Sequence, residues 1–276
     1  MKSKNFLLPE GLIWDEFTST FMFVDIKLCS IFQIESKPSF QISKLFSFNE
    51  SIGFAYPINN DEILCGMKSG LMIFNRTNKK SFYIIKINKK NFRINDGLID
   101  ENNIVWFGVM HENDSSISDK NKGLLYSYSL NKKKLNIEDK EYLIPNGPVM
   151  SKDKNWLYHS DSLKGIIYRY KYSQQFLDLK AKEIFFDCNK FSKLNPSPDG
   201  MTIDNKGNLV VAVWGIGEVW VISTDAERKI INRIKIPGKN VTNVCFSKTD
   251  TTNLYVTYAA SESTNGYIHV VQNYGQ

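Results

Sequence analysis

The sequence predicts an all-β chain that folds as a single six-bladed β-propeller domain spanning residues 1–276, and three observations lead to that prediction. The chain of 276 residues is long enough to bury a sizeable core. Its aromatic content of 13%, with 18 Phe and 13 Tyr, favours strands over helices. Finally, one hairpin pattern recurs along the chain at a period of roughly 40–50 residues, which is the size of a four-stranded propeller blade.

Each repeat begins with a polar turn rich in Asp, Asn or Gly and continues into a short β-rich run. These runs are Phe21–Val24, Ile63–Cys65, Ile104–Phe107, Trp156–Tyr158, Leu209–Ala212 and Leu254–Thr257. Most of them are followed by a second run that opens at a glycine, namely Gly70, Gly123, Gly165, Gly217 or Gly266. Glycine suits such a hairpin because it adopts positive φ without a steric penalty. Repetition of one hairpin signature favours a propeller over a β-sandwich.

The two ends of the chain carry half-units, Gly11–Trp14 and Tyr267–Val271. We expect these half-units to share one blade, because that pairing would close the ring and remove its open edge. No linker or low-complexity segment separates the repeats, so a second domain is not predicted.

Composition excludes several classes of protein. The longest apolar runs, such as Leu209–Trp214, have the length of a strand, whereas a membrane span needs about 18–20 residues. The N-terminal segment lacks the apolar stretch of a secretory signal. The cysteines are far apart and form no C-x-x-C pair, as expected of buried thiols in a reducing compartment: Cys29, Cys65, Cys188 and Cys245. We therefore predict a cytoplasmic protein.

The net charge of +6 raises the question of a nucleic-acid partner. The lysines are scattered or stand in short tufts, such as Lys132–Lys134, beside predicted turns. A nucleic-acid surface typically shows clustered Arg with interleaved aromatic residues. The sequence therefore predicts neither a nucleic-acid nor a membrane partner, and it does not indicate an oligomeric state.

Candidate functional residues occur at equivalent places just before the hairpin signature, where propeller strands line a central channel. They are Glu10-Gly11, Asn95-Asp96-Gly97, Asn146-Gly147 and Asp199-Gly200. Oxygen ligands of this kind, converging from separate blades, suit a hard or borderline divalent cation. The alternative interpretation is that these dipeptides are only turns.

A set of motifs, in order along the chain, carries a family resemblance. The set comprises Glu10–Asp15, Phe92–Gly97 with Trp106–Gly108, Pro145–Gly147, Tyr158–Ser162 with Ile167–Tyr170, Pro198–Asp204 and Val241–Phe246. Through these motifs the chain resembles the SMP-30/gluconolactonase/regucalcin-like family of six-bladed propellers. Each motif is weak alone, but the ordered set at blade spacing is specific and covers nearly the whole chain.

The resemblance implies a metal-dependent hydrolase that opens a small-molecule sugar lactone, such as an aldonolactone or gluconolactone, to the aldonic acid. It places one divalent cation on Glu10, Asn146 and Asp199, with Asp199 also accepting and donating the proton. The cation could be Ca²⁺, Zn²⁺, Mn²⁺, Mg²⁺ or Fe²⁺, since a Glu/Asn/Asp set accepts several metals. The resemblance further implies that Arg93 and Asn95 bind substrate hydroxyls.

A further substrate contact implied by the resemblance falls near Asp119, in the variable loop 111–122. The sequence departs from the family in two places. Glu10-Gly-Leu stands where the family usually has Glu-Gly-Pro, and residues 51–74 match only loosely.

Other functions remain open at the level of sequence. The same metal site could hydrolyse a different lactone or a phosphoester, the chain could bind calcium or sugar without catalysis, or it could be a scaffold for partner proteins. Single residues also have structural alternatives. Arg93 could pair with Asp96, Asp161 is expected to fix a turn more readily than to ligate a metal, and His159 is expected to be a core residue.

Overall fold

Every strand pairing among the described residues of the computed structural model is antiparallel, and within each group of strands each strand pairs with the next one along the chain. The structure describes residues 5–35, 40–173 and 176–275. The strands of the first three groups are β1 (Pro9–Asp15), β2 (Thr20–Asp25), β3 (Ser30–Glu35), β4 (Gln41–Ser47); β5 (Ile52–Pro57), β6 (Glu62–Met67), β7 (Gly70–Asn75), β8 (Ser81–Lys86); β9 (Phe92–Ile99), β10 (Ile104–His111), β11 (Gly123–Ser129) and β12 (Lys134–Tyr142).

The strands of the later groups are β13 (Pro145–Met150), β14 (Trp156–Asp161), β15 (Ile166–Ser173), β16 (Phe176–Asp187); β17 (Ser197–Ile203), β18 (Leu209–Trp214), β19 (Glu218–Ile222), β20 (Ile230–Lys235); β21 (Asn240–Phe246), β22 (Leu254–Ala259) and β23 (Tyr267–Val271). Short 3-10 helices cover Asp114–Ser116, Asp119–Asn121 and Cys188–Lys190. The all-β prediction is confirmed. Among the described residues, no helix has the length and apolar character needed to cross a membrane.

The predicted repeat corresponds to the middle of each strand group. Each β-rich run lies in a second strand, as Ile104–Phe107 does in β10. Each glycine-led run lies in or directly before a third strand, and Gly70 is the first residue of β7. The hairpin between second and third strands is therefore the feature that made the period visible in the sequence.

The predicted pairing of the chain ends is wrong in detail. Gly11–Trp14 lies in β1 and pairs with β2, whereas Tyr267–Val271 forms β23 and pairs with β22. The described part of the N-terminal segment reaches the last group through an isolated bridge between Phe6 and Gly266 and through the Ala260 N–H, which donates to the Leu7 carbonyl at 3.0 Å. The strand β1 already makes its main-chain hydrogen bonds with β2 in a local hairpin. The segment before β1 is therefore the part of the N-terminal region that approaches the C-terminal group.

The core consists of apolar clusters that lie between consecutive strand groups. For example, Met22 and Val24 of the first group pack with Ile63 and Cys65 of the second. A further cluster joins Phe23 of the first group to residues of the last group. Because neighbouring groups cover both faces of a middle strand, β2 and β10 are buried along their whole length and do not alternate.

The first strands of the groups meet around a common centre. They contact one another in the chain order β1, β5, β9, β13, β17 and β21, and β21 returns to contact β1. At that closure the Thr242 hydroxyl donates to the Pro9 carbonyl at 2.6 Å. The residues that the sequence singles out all lie on these first strands, with the exception of Asp119.

Candidate functional site

Each first strand is irregular at the position of its candidate residue. The register of β1 shifts after Glu10, that of β13 after Asn146, and that of β17 after Pro198, directly before Asp199. The register of β9 shifts at the residues that include Asn95. A β-bulge of this kind leaves a residue outside the ladder and re-aims its side chain, which brings these side chains to the centre.

The backbone after two of the candidate residues is left-handed. Gly11 has φ +56° and Gly147 has φ +57°, so the chain turns in the same way after Glu10 and after Asn146. A Cβ atom at Gly147 would lie 2.5 Å from the Asp199 carbonyl oxygen. Only glycine therefore allows β13 to approach β17 this closely.

Glu10 and Asp199 are buried carboxylates that influence one another electrostatically. Their side chains are 8% and 5% exposed. Burial, and then the negative charge of Asp96, raises the pKa of Glu10 from 4.5 to about 8. Burial, followed by the charges of Glu10 and Asp96, raises the pKa of Asp199 well above its ordinary value. In the protein alone, the positive charge near this pair is therefore too small to keep both carboxyl groups ionised at neutral pH.

Asp96 is a third buried carboxylate at the centre, but hydrogen bonds occupy both of its oxygens. Its Oδ1 accepts from the Gly97 main-chain N–H at 2.7 Å, and its Oδ2 accepts from the Gly147 N–H at 2.8 Å. Burial raises the pKa of Asp96 to about 6, and these two hydrogen bonds oppose the rise. Asp96 therefore ties β9 to β13 next to Asn146.

The remaining candidate side chains form one hydrogen-bonded chain. Arg93 Nη1 donates to Asn95 Oδ1 at 2.6 Å, and Asn95 Nδ2 donates to Asn146 Oδ1 at 2.7 Å. Asn146 Nδ2 donates to Ser162 Oγ at 3.0 Å, and that hydroxyl donates to the Pro198 carbonyl at 2.7 Å. The structure thus connects Arg93, Asn95 and Asn146 directly, and it ends the chain beside Asp199.

Arg93 serves two partners in this arrangement. Its guanidinium donates to Asn95 and to the Ile94 carbonyl, and its positive charge lowers the pKa of Glu10. The guanidinium is half-buried, so part of it is open to solvent.

One atom at this centre stands out as a candidate metal ligand. Asp199 Oδ1 is buried and has no hydrogen-bond partner among the described residues. An ionised carboxylate oxygen in that state is costly unless a cation faces it. Together with Glu10 and the Asn146 amide oxygen it would make an all-oxygen donor set, whose chemistry fits a hard or borderline divalent cation.

Within the described residues, no cluster of three or more His, Cys, Asp and Glu side chains suits a metal ion. The donor set that the sequence predicts is of a different composition, because it contains two carboxylates and one amide.

Asp119 lies apart from this hydrogen-bonded chain. It stands on the 3-10 helix Asp119–Asn121 and is exposed. The loop that carries it leaves the sheet beside Arg93, because Met110 of β10 pairs with Arg93 of β9. The described hydrogen bonds do not connect Asp119 to Arg93 or Asn95. The structure therefore places Asp119 at the same end of the sheet and not in the cluster.

A cavity of about 770 Å³ lies toward the other ends of the first strands. Its lining includes Asp96 and Asn243 together with Tyr56, Met150 and Cys245. Glu10, Arg93, Asn95, Asn146 and Asp199 do not line it. This cavity and the candidate residues therefore occupy different depths of the centre, with Asp96 common to both.

Two residues at the centre, Ser162 and Asp96, make contacts that the sequence does not predict. Ser162 is the last residue of the motif Tyr158–Ser162, but its position after β14 gives no sign that it contacts two other groups. Asp96 belongs to the predicted candidate set Asn95-Asp96-Gly97, and the sequence also offers it as an ion-pair partner of Arg93. Its main-chain contacts arise from the bulge of β9, which the sequence pattern does not reveal.

The two neighbouring residues with structural alternatives behave as expected. Asp161 accepts main-chain N–H groups of Leu143 and Ile144, so it fixes the entry to β13. His159 is fully buried against the Tyr142 ring, with ring centroids 4.7 Å apart, and burial lowers its pKa to about 3.

Comparisons with known proteins agree with this architecture. Residues 8–260 match the family model described as the SMP-30/Gluconolactonase/LRE-like region. A Bacillus subtilis protein named "Putative sugar lactone lactonase" is 28% identical, and the alignment covers 94% of this chain and 85% of that protein.

Two solved structures share the fold. A luciferin-regenerating enzyme superposes with a TM-score of 0.88 at 25% identity, covering 98% of this chain and 93% of that one. Regucalcin from Agrobacterium tumefaciens, described as a calcium-binding protein, superposes with a TM-score of 0.83 at 22% identity, covering 95% and 85%.

Proposed function

Because the chain belongs to the SMP-30/gluconolactonase/LRE-like family, we propose that it hydrolyses a sugar lactone with one divalent cation held by Glu10, Asn146 and Asp199. The observation that carries the proposal is the buried Asp199 Oδ1, which has no hydrogen-bond partner in the described part of the chain. The Bacillus subtilis relative named for sugar lactone hydrolysis supports the reaction class, and the calcium-binding neighbour supports the cation.

The proposal includes the architecture that the sequence predicts. The strand groups form one six-bladed propeller domain, and the centre of the ring is the active site. The contacts that run in order from β1 to β21 and back to β1 support this closure. The compartment that we propose is the cytoplasm, in which the free thiols of the chain are stable.

A bound cation would polarise the lactone carbonyl and stabilise the negative charge that develops on its oxygen. Asp199 takes the proton of the attacking water and returns it to the ring oxygen as the C–O bond of the lactone breaks. Its two carboxylate oxygens allow one residue to serve the cation and the proton.

Arg93 and Asn95 orient the substrate. The half-buried guanidinium of Arg93 offers several donors in a planar fork, which suits neighbouring hydroxyls of a sugar ring. Asn95 has both side-chain atoms committed to protein partners, to Arg93 through Oδ1 and to Asn146 through Nδ2. Its contribution to substrate binding is therefore to hold Arg93 in place, with Asp119 as a further contact from the adjoining loop.

The test is hydrolysis of a panel of γ- and δ-aldonolactones, followed by acid release near neutral pH. The purified protein is compared after chelator treatment, after metal restoration, and as the Asp199→Asn variant. The matched control is Asp204→Asn, which changes a carboxylate of similar burial whose bonds lie mainly within the turn before β18.

We expect turnover that requires the metal, disappears in Asp199→Asn and persists in Asp204→Asn. Absence of turnover with every metal, despite stable cation binding, would contradict the lactonase proposal and favour a protein that binds calcium or sugar without catalysis. Turnover limited to phosphoesters would assign the same site to a different hydrolysis.

A further inference from the structure

We infer that Ser162 is a positioning residue that fixes the side-chain amide of Asn146, so that its oxygen and not its nitrogen is the atom available to a cation. The inference rests on the proposed function, in which Asn146 is a metal ligand. Ser162 follows β14 directly, is 6% exposed, and lies within hydrogen-bond distance of both Asn146 and Pro198.

The direction of the hydrogen bonds at Ser162 follows from the chemistry of its partners. A main-chain carbonyl can only accept, so the single hydroxyl hydrogen of Ser162 is committed to the Pro198 oxygen at 2.7 Å. The Ser162 oxygen can then only accept from Asn146 at 3.0 Å. The Asn146 atom that faces Ser162 must therefore be the NH₂ group.

The other end of the network gives the same orientation independently. Asn95 Oδ1 accepts from the Arg93 guanidinium, which has donors only, and Asn95 Nδ2 donates to the Pro145 carbonyl at 3.0 Å, which accepts only. The Asn95 amide nitrogen thus faces Asn146 and requires an acceptor there. Both ends agree that Asn146 Oδ1 lies on the Asn95 side and Nδ2 on the Ser162 side.

This orientation has a consequence for metal binding. The two ends of an amide have nearly the same shape, and rotation by half a turn would exchange them at little steric cost. Only the oxygen can ligate a hard cation, because the NH₂ group has no lone pair to offer. Ser162 at one end and Asn95 at the other therefore disfavour the orientation of Asn146 that would bind no metal.

The experiment measures Mn²⁺ affinity of the full, metal-free chain by calorimetric titration at pH 8. In Ser162→Ala the Asn146 NH₂ group loses its acceptor, and the competing orientation becomes accessible. We expect the dissociation constant for Mn²⁺ to rise about 10–100-fold, as is typical when a residue that orients a metal ligand is removed. The thermal midpoint of the metal-free protein, measured in parallel, separates this effect from a loss of stability.

The matched control is Ser160→Ala. Ser160 is fully buried on the same segment, and its hydroxyl donates to the Asn146 main-chain carbonyl at 3.1 Å rather than to the side-chain amide. We expect its Mn²⁺ affinity to stay within about threefold of the parent, which is a small change in binding free energy. Equal losses in the two variants would overturn the inference, since they would reflect packing around Asn146.

Failure of the inference and failure of the proposed function are distinguishable. Parental Mn²⁺ affinity in Ser162→Ala, with binding abolished in Asp199→Asn, would overturn the role of Ser162 alone. If the parent protein binds neither Mn²⁺ nor Ca²⁺, Zn²⁺, Mg²⁺ or Fe²⁺ in the same titration, both proposals fail, and a parent that binds one of the other cations is compared with its variants using that cation. If Ser162→Ala does not fold, Ser162→Cys keeps the size of the side chain but supplies only a weak acceptor. Parental affinity in Ser162→Cys would then overturn the inference.

Discussion

Two buried aspartates of this molecule occupy opposite electrostatic situations. Asp161 is completely buried, and its carboxylate accepts the main-chain N–H of Leu143 at 2.9 Å and lies 3.1 Å from the Lys164 ammonium. Asp25 occupies the corresponding place in the first strand group and accepts from Leu7 at 2.8 Å. Asp199 is nearly as buried, but its Oδ1 has no hydrogen-bond partner among the described residues.

The comparison separates two states of a buried carboxylate, one whose oxygens accept main-chain N–H groups and one that leaves an oxygen without a partner among the described residues. Leaving such a group without a partner costs roughly 1–3 kcal/mol, so a fold does not retain it for stability. Asp161 and Asp25 hold the chain at the entry to a first strand. At Asp199, by contrast, burial and then the charges of Glu10 and Asp96 raise the pKa, and we propose that Asp199 and Glu10 supply oxygen ligands to a cation.

The largest expected effect separates the two kinds of aspartate by activity. Asp199→Asn should lower lactone turnover by about 10³-fold or more, because it removes the proton acceptor and one anionic ligand. The same change should leave the stability of the metal-free protein unchanged or higher, because it removes an unpaired buried acid. Steady-state kinetics and urea unfolding of the same preparation measure both. A loss of stability that matches the loss of activity would contradict the distinction.

The second effect is a loss of stability without a loss of metal binding. Asp161→Asn should lower the free energy of unfolding by about 2–3 kcal/mol, because a charged acceptor of main-chain N–H groups is replaced by an amide that cannot serve them equally. The folded variant should keep its Mn²⁺ affinity. Urea unfolding and metal titration test this pair of outcomes, and lost metal binding in a folded Asp161→Asn protein would assign Asp161 to the metal site.

A third prediction compares the two left-handed glycines. Gly11→Ala should cost about 1–2 kcal/mol of stability, the usual penalty of a left-handed alanine. Gly147→Ala should cost more and should weaken metal binding, because its Cβ would collide with the Asp199 carbonyl at 2.5 Å, whereas the nearest atoms to a Gly11 Cβ lie at 3.3 Å. Unfolding and Mn²⁺ titration of both variants test the order. Equal effects would show that the approach of β13 to β17 is not tight.

The fourth effect concerns pH. The folded protein raises the pKa of Glu10 from 4.5 to about 8 and that of Asp96 from 3.8 to about 6. Above the pKa values of the unfolded chain, these groups are deprotonated in the unfolded chain while they still hold protons in the folded protein. The metal-free protein should therefore lose stability as the pH rises from about 4 to 8. Because a cation displaces the Glu10 proton, Mn²⁺ affinity should rise over the same interval. Thermal unfolding and titration at several pH values test both trends, and metal-free stability that rises from pH 5 to 8 would contradict them.

The sequence predicted the strand repeat because the second and third strands form a local hairpin. The turn of this hairpin carries a glycine, such as Gly70, at the same position in most groups, and its buried strands appear in the sequence as short apolar runs. The sequence also located the residues on the first strands, because a polar residue followed by glycine recurs there. The structure brings Arg93, Asn95 and Asn146 into direct contact.

The features that the sequence missed depend on contacts between distant segments. Ser162 contacts Asn146 across 16 positions and Pro198 across 36 positions. The bridge from Phe6 to Gly266 joins the two ends of the chain. No local pattern in the sequence therefore shows that Phe6, and not the half-unit Gly11–Trp14, approaches the last group. Donor and acceptor direction within the network also requires the coordinates of all its members.

The measurement that tests the central claim most directly is a crystal structure of the protein grown with Mn²⁺, with anomalous diffraction to locate the ion. We expect one anomalous peak per chain, within bonding distance of Glu10, Asn146 Oδ1 and Asp199, and its absence in Asp199→Asn. A peak elsewhere, or a centre in which Asp199 Oδ1 has a protein hydrogen bond and no ion at saturating Mn²⁺, would contradict it.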